Sequence, residues 1–289
     1  MPNFLIIGAM KSGTTTLYDS LNAHPQIYMS RLKEPHFFSY DGTENFPITN
    51  LEDYQALFRG VSNETAIGEA STTYLFNSKA PERIRHYIPK AKLIAILRDP
   101  AERAYSLYLM RYRANQLKTQ ISDYEILNYF AQLVHKKSGG TLNERYCASL
   151  KRYLSIFDQE QIKICFYQDL KSDPNTLLQD IYKFLGVDEN LLIHKPIKRS
   201  NTGGIPSNKS LHTSLENLKK SFNATIGPLL PESLFQPLES IYTSLRNRNL
   251  VKAPPLPREI RKQLIEIYRE DILHLQDFLQ RDFSKWLEC

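Results

Sequence analysis

The chain has 289 residues, 42% of them hydrophobic and 24% charged, which excludes a disordered or collagen-like polypeptide and suffices for a large core. Formal net charge is +6, from 37 basic and 31 acidic residues. That favours anionic ligands only weakly, because no long Lys/Arg block exists, and no nucleic-acid reader motif is present, so nucleic acid is not expected as a partner. Three cysteines occur, Cys147, Cys165 and Cys289, in a spacing that fits no metal or disulfide framework. Cys165 lies in an apolar run and reads as a core thiol, which points to a reducing, cytoplasmic compartment. The apolar run after Met1-Pro2-Asn3 is too short and lacks the basic flank of a signal peptide. No stretch approaches the ~18 apolar residues of a membrane span.

The predicted elements alternate. Asn3–Gly8 reads as a buried strand, followed by a tight turn and a helix ending near His24-Pro25. Ala66–Ala70 is a second, weaker strand. "SKAPERIRHYIP" is a short helix with Ser78 as cap and Pro89 as stop. Lys92–Leu97 is a buried strand, and the helix after it takes Asp99 as N-cap, Pro100 as first residue and Glu102 as capping-box partner. Ser122 and Glu125 form another box, opening a helix that ends before Gly139-Gly140. "RYCASLKRYLSIF" is helical and "QIKICFY" is a fourth strand. Asp173-Pro174 then opens a helix with Leu177, Leu178, Ile181, Phe184 and Leu185 at helical spacing, ended by Gly186.

Strands alternating with helices predict an α/β fold with a P-loop-like central parallel sheet flanked by helices. Lys195–Ser210 reads as a long loop. Beyond it the chain is mostly helical, broken by Pro228, Pro231, Pro237 and the run Ala253–Pro257. No internal repeat or linker divides the chain. The expected organisation is a single domain over 1–289, with an α/β core over 1–210 and a helical extension, a candidate lid, over 211–289.

The first turn carries the chemistry. In an open α/β sheet, ligands sit at the carboxyl ends of the strands. There the helix-start amides, the hydroxyls of Ser12, Thr14, Thr15 and Thr16 and the Lys11 ammonium can converge on a dianionic group beside Gly13. A nucleotide-triphosphate loop, G-x-x-x-x-G-K-[ST], places its lysine after the last glycine. Here Lys11 precedes Gly13, and threonine follows it. A plain strand–turn–helix connection with a surface lysine is the competing reading. Arg98, at a strand's carboxyl end, and Ser106, two turns into the next helix, can form a second phosphate grip. Pairing of Arg98 with Asp99 or Glu102 is the alternative.

These stretches resemble a family. "IIGAMKSGTTTL" resembles the 5′-phosphosulfate loop of sulfotransferases that use 3′-phosphoadenosine-5′-phosphosulfate, and "ILRDPAERAYSLY" resembles their 3′-phosphate segment. "HPQIYMSRLKEPHFFS" resembles the segment that carries the catalytic carboxylate in the heparan-sulfate branch. "GEASTTYL" and the region from Arg145 to Val187 look like later blocks of bacterial relatives, so the resemblance runs in order from Phe4 to about Pro206. It implies 3′-phosphoadenosine-5′-phosphosulfate as co-substrate, held by Lys11, Ser12, Gly13, Thr14, Thr15, Thr16, Arg98 and Ser106, with no metal. It also implies Lys11 stabilising the leaving phosphate, Glu34 as general base and His36 as the second catalytic candidate; a solvated salt bridge of Glu34 with Lys33 or Arg31 is the alternative. "KRSNTGGIPSNKSL" resembles a loop closing over the adenosine, which implies Arg199 and Gly203 as contacts; a flexible basic loop is the alternative. The acceptor is a hydroxyl or amine on a carbohydrate, lipid, carrier-bound acyl chain or small phenol, with Tyr40, Phe37, Phe38 and Tyr74 as candidate contacts. The branch's lysine after the glutamate of its second block is replaced here by Ala70. That puts a heparan-type acceptor in question. The cysteine pair of animal relatives is also missing, and no Golgi anchor is expected. Two rivals stand: a P-loop kinase or ATPase, which needs a lysine after the last glycine, and a non-catalytic polyanion binder.

Overall fold

The computed structural model describes residues 1–42, 46–115, 123–137, 140–191, 204–225 and 232–289. Its centre is a five-stranded sheet of β1 (Phe4–Gly8), β2 (Ile27–Met29), β3 (Ala66–Ala70), β4 (Lys92–Leu97) and β5 (Ile162–Phe166). The order is β2-β3-β1-β4-β5 and every neighbouring pair is parallel. All five residues of β1 are buried, as a central strand covered on both faces requires.

Successive residues feed opposite faces. Leu5, Ile7, Leu93, Ala95 and Leu97 share one core cluster. Onto it pack Tyr54 of α2 (Leu51–Ala56), Ile84 of α3 (Ala80–Tyr87), Ala104 of α4 (Pro100–Asn115), Phe130 of α5 (Asp123–His135) and Tyr153 of α6 (Tyr146–Leu154). Phe4, Ile6, Ile94, Ile96 and Cys165 form the other cluster. They meet Leu17 and Leu21 of α1 (Thr14–Asn22), Leu170 of α7 (Tyr167–Ser172) and Leu177, Leu178 and Ile181 of α8 (Pro174–Leu185). Cys165 is the core thiol its sequence context implies, and burial pushes its thiol up to about 12.

The remaining chain forms a two-residue ribbon, β6 (Ile205–Pro206) with β7 (Leu250–Val251), and helices α9 (Lys209–Thr225), α10 (Glu232–Arg248) and α11 (Arg258–Leu279). Helix α11 is part of the core: Leu264, Tyr268, Ile272 and Leu275 are buried in the first cluster. No helix among the described residues is long and apolar enough to cross a membrane.

Several local expectations need correction. The sheet gains β2, a three-residue edge strand too short to show a period. Helix α3 is capped by Asn77 rather than Ser78: its Oδ1 accepts from the Lys79 and Ala80 amides at 2.9 and 3.0 Å. Asp99 caps α4 as expected, accepting from the Ala101 and Glu102 amides at 2.9 and 3.2 Å. Glu102 instead turns its carboxylate to Arg98 and Arg261. Pro237 does not break the chain but lies inside α10. Helix α9 starts within the segment read as a long loop. Ser122, Pro228, Pro231, Arg199 and Gly203 lie outside the described residues.

The sheet order positions the site. From β1 the chain leads toward β2, and from β4 it leads to β5 on the opposite side. The crevice at the carboxyl ends of β1 and β4 is therefore the switch point of the sheet, where an open α/β fold receives its ligand.

Candidate active site

Lys11 and Arg98 meet at that crevice. Past β1 the chain turns into α1 through Gly13, whose φ of 92° lies in the left-handed region. A Cβ there would also stand 2.9 Å from Leu170 and Tyr167, so the turn needs glycine twice over. Lys11 has a φ of 68°, and its carbonyl accepts from Arg98 Nη1 at 3.1 Å. Arg98 Nη2 also pairs with Glu102 at 3.3 Å, and the guanidinium lies over the Tyr167 ring at 4.9 Å. The Glu102 alternative weighed for Arg98 is thus present, together with its place beside the loop. Ser106 is half-buried on α4.

The start of α1 suits an anion. Its first turn carries no acidic residue, and no side chain caps it among the described residues. The first amides have no intrahelical carbonyl to bond, and the helix dipole is positive there. Ser12 Oγ is buried beside the Tyr146 hydroxyl, without a satisfied hydrogen bond among the described residues. Thr14 is buried, Thr15 and Thr16 half-buried. An anionic group placed here would satisfy amides and hydroxyl together.

The second half of the site is the segment after β2. Glu34 and His36 adopt left-handed φ values of 63° and 58°. Such backbone costs about 1–3 kcal/mol per residue and persists only where surroundings impose it. Here they do. The Glu34 amide donates to Ala70 O at 2.9 Å, the His36 amide to Ser71 Oγ at 3.0 Å and the Phe38 amide to Tyr74 Oη at 3.3 Å. Phe37, Phe38 and Tyr74 are core residues, stacked among themselves and Tyr54, so they anchor this segment and do not face an acceptor. Tyr40 is half-buried, and its carbonyl accepts from Arg83.

The Glu34 carboxylate is held on both oxygens. Oε1 lies 3.1 Å from Lys33 Nζ and accepts from Thr72 Oγ1 at 3.2 Å; Oε2 lies 3.2 Å from His36 Nε2. Burial pushes its pKa upward. The bond to His36 and the charge and hydrogen bond of Lys33 outweigh that, and hold the carboxyl at about 2. His36 Nδ1 lies 2.9 Å from Thr73 Oγ1, which in turn contacts Ser39 Oγ at 2.8 Å. In neutral His36 this network is consistent with Nε2–H donating to Glu34 and Thr73 donating to Nδ1.

The two halves adjoin. A Cβ on Gly8 would stand 3.0 Å from Thr72 O and 2.9 Å from Leu75 Cβ. The turn that bonds Glu34 therefore rests on the base of the Lys11 loop. Thr72, Thr73, Ser39 and Tyr167 lie within the motif stretches, but no motif assigns them a role. The run Ser71-Thr72-Thr73 at a strand's carboxyl end is the one signal that could have found the first two.

Residues 1–226 match the family described as the sulfotransferase domain. The chain belongs to the sulfotransferase family. It is 35% identical over 202 residues to the bifunctional heparan sulfate N-deacetylase/N-sulfotransferase 4 of Mus musculus, covering 65% of this chain and 22% of that protein. The match thus spans about a fifth of that relative's length. A membrane-associated sulfotransferase of Dictyostelium discoideum is 29% identical, over 99% of this chain and 66% of that protein. The crystal structure of a sulfotransferase from Alicyclobacillus acidocaldarius superposes with a TM-score of 0.68 at 25% identity, covering 100% of this chain and 99% of that one.

Proposed function

We propose that this sulfotransferase moves a sulfuryl group from 3′-phosphoadenosine-5′-phosphosulfate to a hydroxyl or amine, with a carbohydrate as the favoured acceptor class. The observation that carries the reading is the adjacency of an uncapped phosphate-type loop, braced by Arg98, to a buried-edge carboxylate–histidine pair. The similarity to heparan sulfate N-sulfotransferases supports the acceptor class. Ala70, in place of the lysine expected there, sets this acceptor site apart from the heparan-sulfate branch.

In this reading the α1 amides, Ser12 and Thr14–Thr16 bind the 5′-phosphosulfate, and Arg98 with Ser106 reads the 3′-phosphate. The acceptor oxygen or nitrogen attacks sulfur in line with the bridging oxygen. The acceptor–sulfur bond forms, the sulfur–phosphate-oxygen bond breaks and the electron pair leaves on the phosphate. Lys11 and the positive end of α1 stabilise that charge. The acceptor's proton passes to Glu34, which His36 and Thr72 orient. An approaching sulfuryl anion weakens the grip of Lys33 and raises the basicity of Glu34 at the moment it is needed.

Calorimetric titration with 3′-phosphoadenosine-5′-phosphate, adenosine-5′-phosphate and ATP tests the donor. We expect the bisphosphate to bind about 10- to 150-fold more tightly than the monophosphate, the worth of one or two charged hydrogen bonds from Arg98. Arg98→Ala should erase most of that preference. Equal affinities of the unaltered protein for the two nucleotides would overturn the reading.

A further inference from the structure

Glu69 is a fully buried carboxylic acid under the proposed transfer site, and no step above uses it. It lies on β3, one residue before Ala70, whose carbonyl receives the Glu34 amide. Tyr54 Oη donates to its Oε1 at 3.2 Å, and the Tyr74 and Ser71 hydroxyls also face it. Its Oε2 has no satisfied hydrogen bond among the described residues. Ser71 and Tyr74 are the two hydroxyls that receive the His36 and Phe38 amides. The same side chains therefore ring Glu69 on one side and hold the strained Glu34–Phe38 segment on the other.

Resting on the functional reading above, we propose that Glu69 is a positioning residue: as a neutral acid it lets Ser71 and Tyr74 seat the Glu34–Phe38 segment through its His36 and Phe38 amides, and its ionisation unseats that segment. The groups that face it are Tyr54 from α2, Ser71 and Tyr74 from the turn after β3, Tyr153 from α6 and Glu34 from the segment above. None of these is a cation; the nearby cations act on its neighbours, Arg152 on Tyr153 and Lys33 with His36 on Glu34. An anion at Glu69 is therefore uncompensated, repels the Glu34 carboxylate and draws water beneath the segment. It also opposes arrival of an anionic sulfuryl group. Burial, reinforced by the Glu34 charge and offset in part by the three hydroxyls, pushes Glu69 up to about 7, so the change falls within the neutral range.

The test has two arms. With an acceptor found by screening, kcat is measured from pH 6 to 8 for the unaltered enzyme and Glu69→Gln, which mimics the neutral acid. The ratio of variant to unaltered kcat should rise about tenfold across that range, as titration of one group requires; taking a ratio cancels any titration of the acceptor. Tyr54→Phe removes a bond that favours the ionised form, so it should move the alkaline fall to higher pH, and it serves alone if Glu69→Gln does not fold. A flat ratio, or an unmoved fall in Tyr54→Phe, in an active enzyme overturns the proposal. If the unaltered enzyme transfers no sulfuryl group to any acceptor, the functional reading has failed instead. Hydrogen exchange then decides: the His36 and Phe38 amides should exchange faster in the unaltered protein than in Glu69→Gln above pH 7, and equally below pH 6. Equal exchange at every pH overturns it.

Discussion

Glu34 is engaged before any acceptor arrives, which sets a tension at the residue scale. A carboxylate held at about 2 is certain to be ionised but is a weak base. Its basicity has to be released when ligands bind, and the groups that hold it are the ones that control that release. His36→Ala removes the hydrogen bond that does most to lower its pKa, so the carboxyl should rise toward its ordinary 4.5. The acid limb of kcat should then move to higher pH, measured on an acceptor that does not itself titrate in that range. An acid limb unchanged by the substitution would place the base elsewhere. Glu34→Gln keeps the shape and removes the proposed base. It should leave affinity for 3′-phosphoadenosine-5′-phosphate nearly intact while kcat falls by roughly 10²–10⁴-fold. Near-normal turnover in that variant would redirect attention to His36.

Among the elements, α6 shows how a distant segment supports the proposed donor side. Its N-cap residue, Arg145, supplies no side-chain cap. Asp271 of α11 does so from 125 residues further along, accepting from the Tyr146 amide at 2.8 Å and the Cys147 amide at 3.1 Å. Tyr146 Oη in turn donates to Arg98 O at 3.0 Å. Asp271→Ala should cost about 1–2 kcal/mol, as loss of a helix cap does, and should weaken nucleotide binding through Tyr146 and Arg98. Urea denaturation and calorimetry read the two effects; intact affinity would show that α6 does not brace the donor site. This cap also marks what a sequence hides. Four strands and the caps at Asp99, Asp173 and Gly186 are legible because continuous apolar runs and local capping residues carry them. Strand β2 has three residues and no period to read, and Pro237 is tolerated within α10 because proline lowers but does not forbid helix. The candidate site divides likewise. Lys11, Glu34, His36 and Arg98 stand in compact motifs, whereas Thr72, Thr73, Tyr167 and Asp271 gain their contacts only when the chain folds.

For the molecule as a whole, two neighbouring glutamates respond to pH in opposite senses. Glu34 sits at about 2 in the folded chain against an ordinary 4.5. Its contribution to stability is present above about pH 4.5 and is lost as pH falls through about 2. Glu69 sits at about 7 against the same 4.5. There the folded state holds a proton that the unfolded state has released, so stability is fully present below about pH 4.5. It is lost progressively as pH rises to about 7 and is flat above that. The shift corresponds to about 3 kcal/mol at roughly 1.4 kcal/mol per pH unit, without discount for solvent because the side chain is fully buried. Glu69→Gln cannot titrate. Its urea midpoint relative to the unaltered protein should therefore climb between pH 4.5 and 7 and then level off. Glu34→Gln should instead gain on the unaltered protein only as pH falls below 4.5. A Glu69→Gln difference that is constant from pH 4.5 to 8 would mean that the buried acid ionises normally, and that the pocket beneath Glu34 is less shielded from water than its geometry implies.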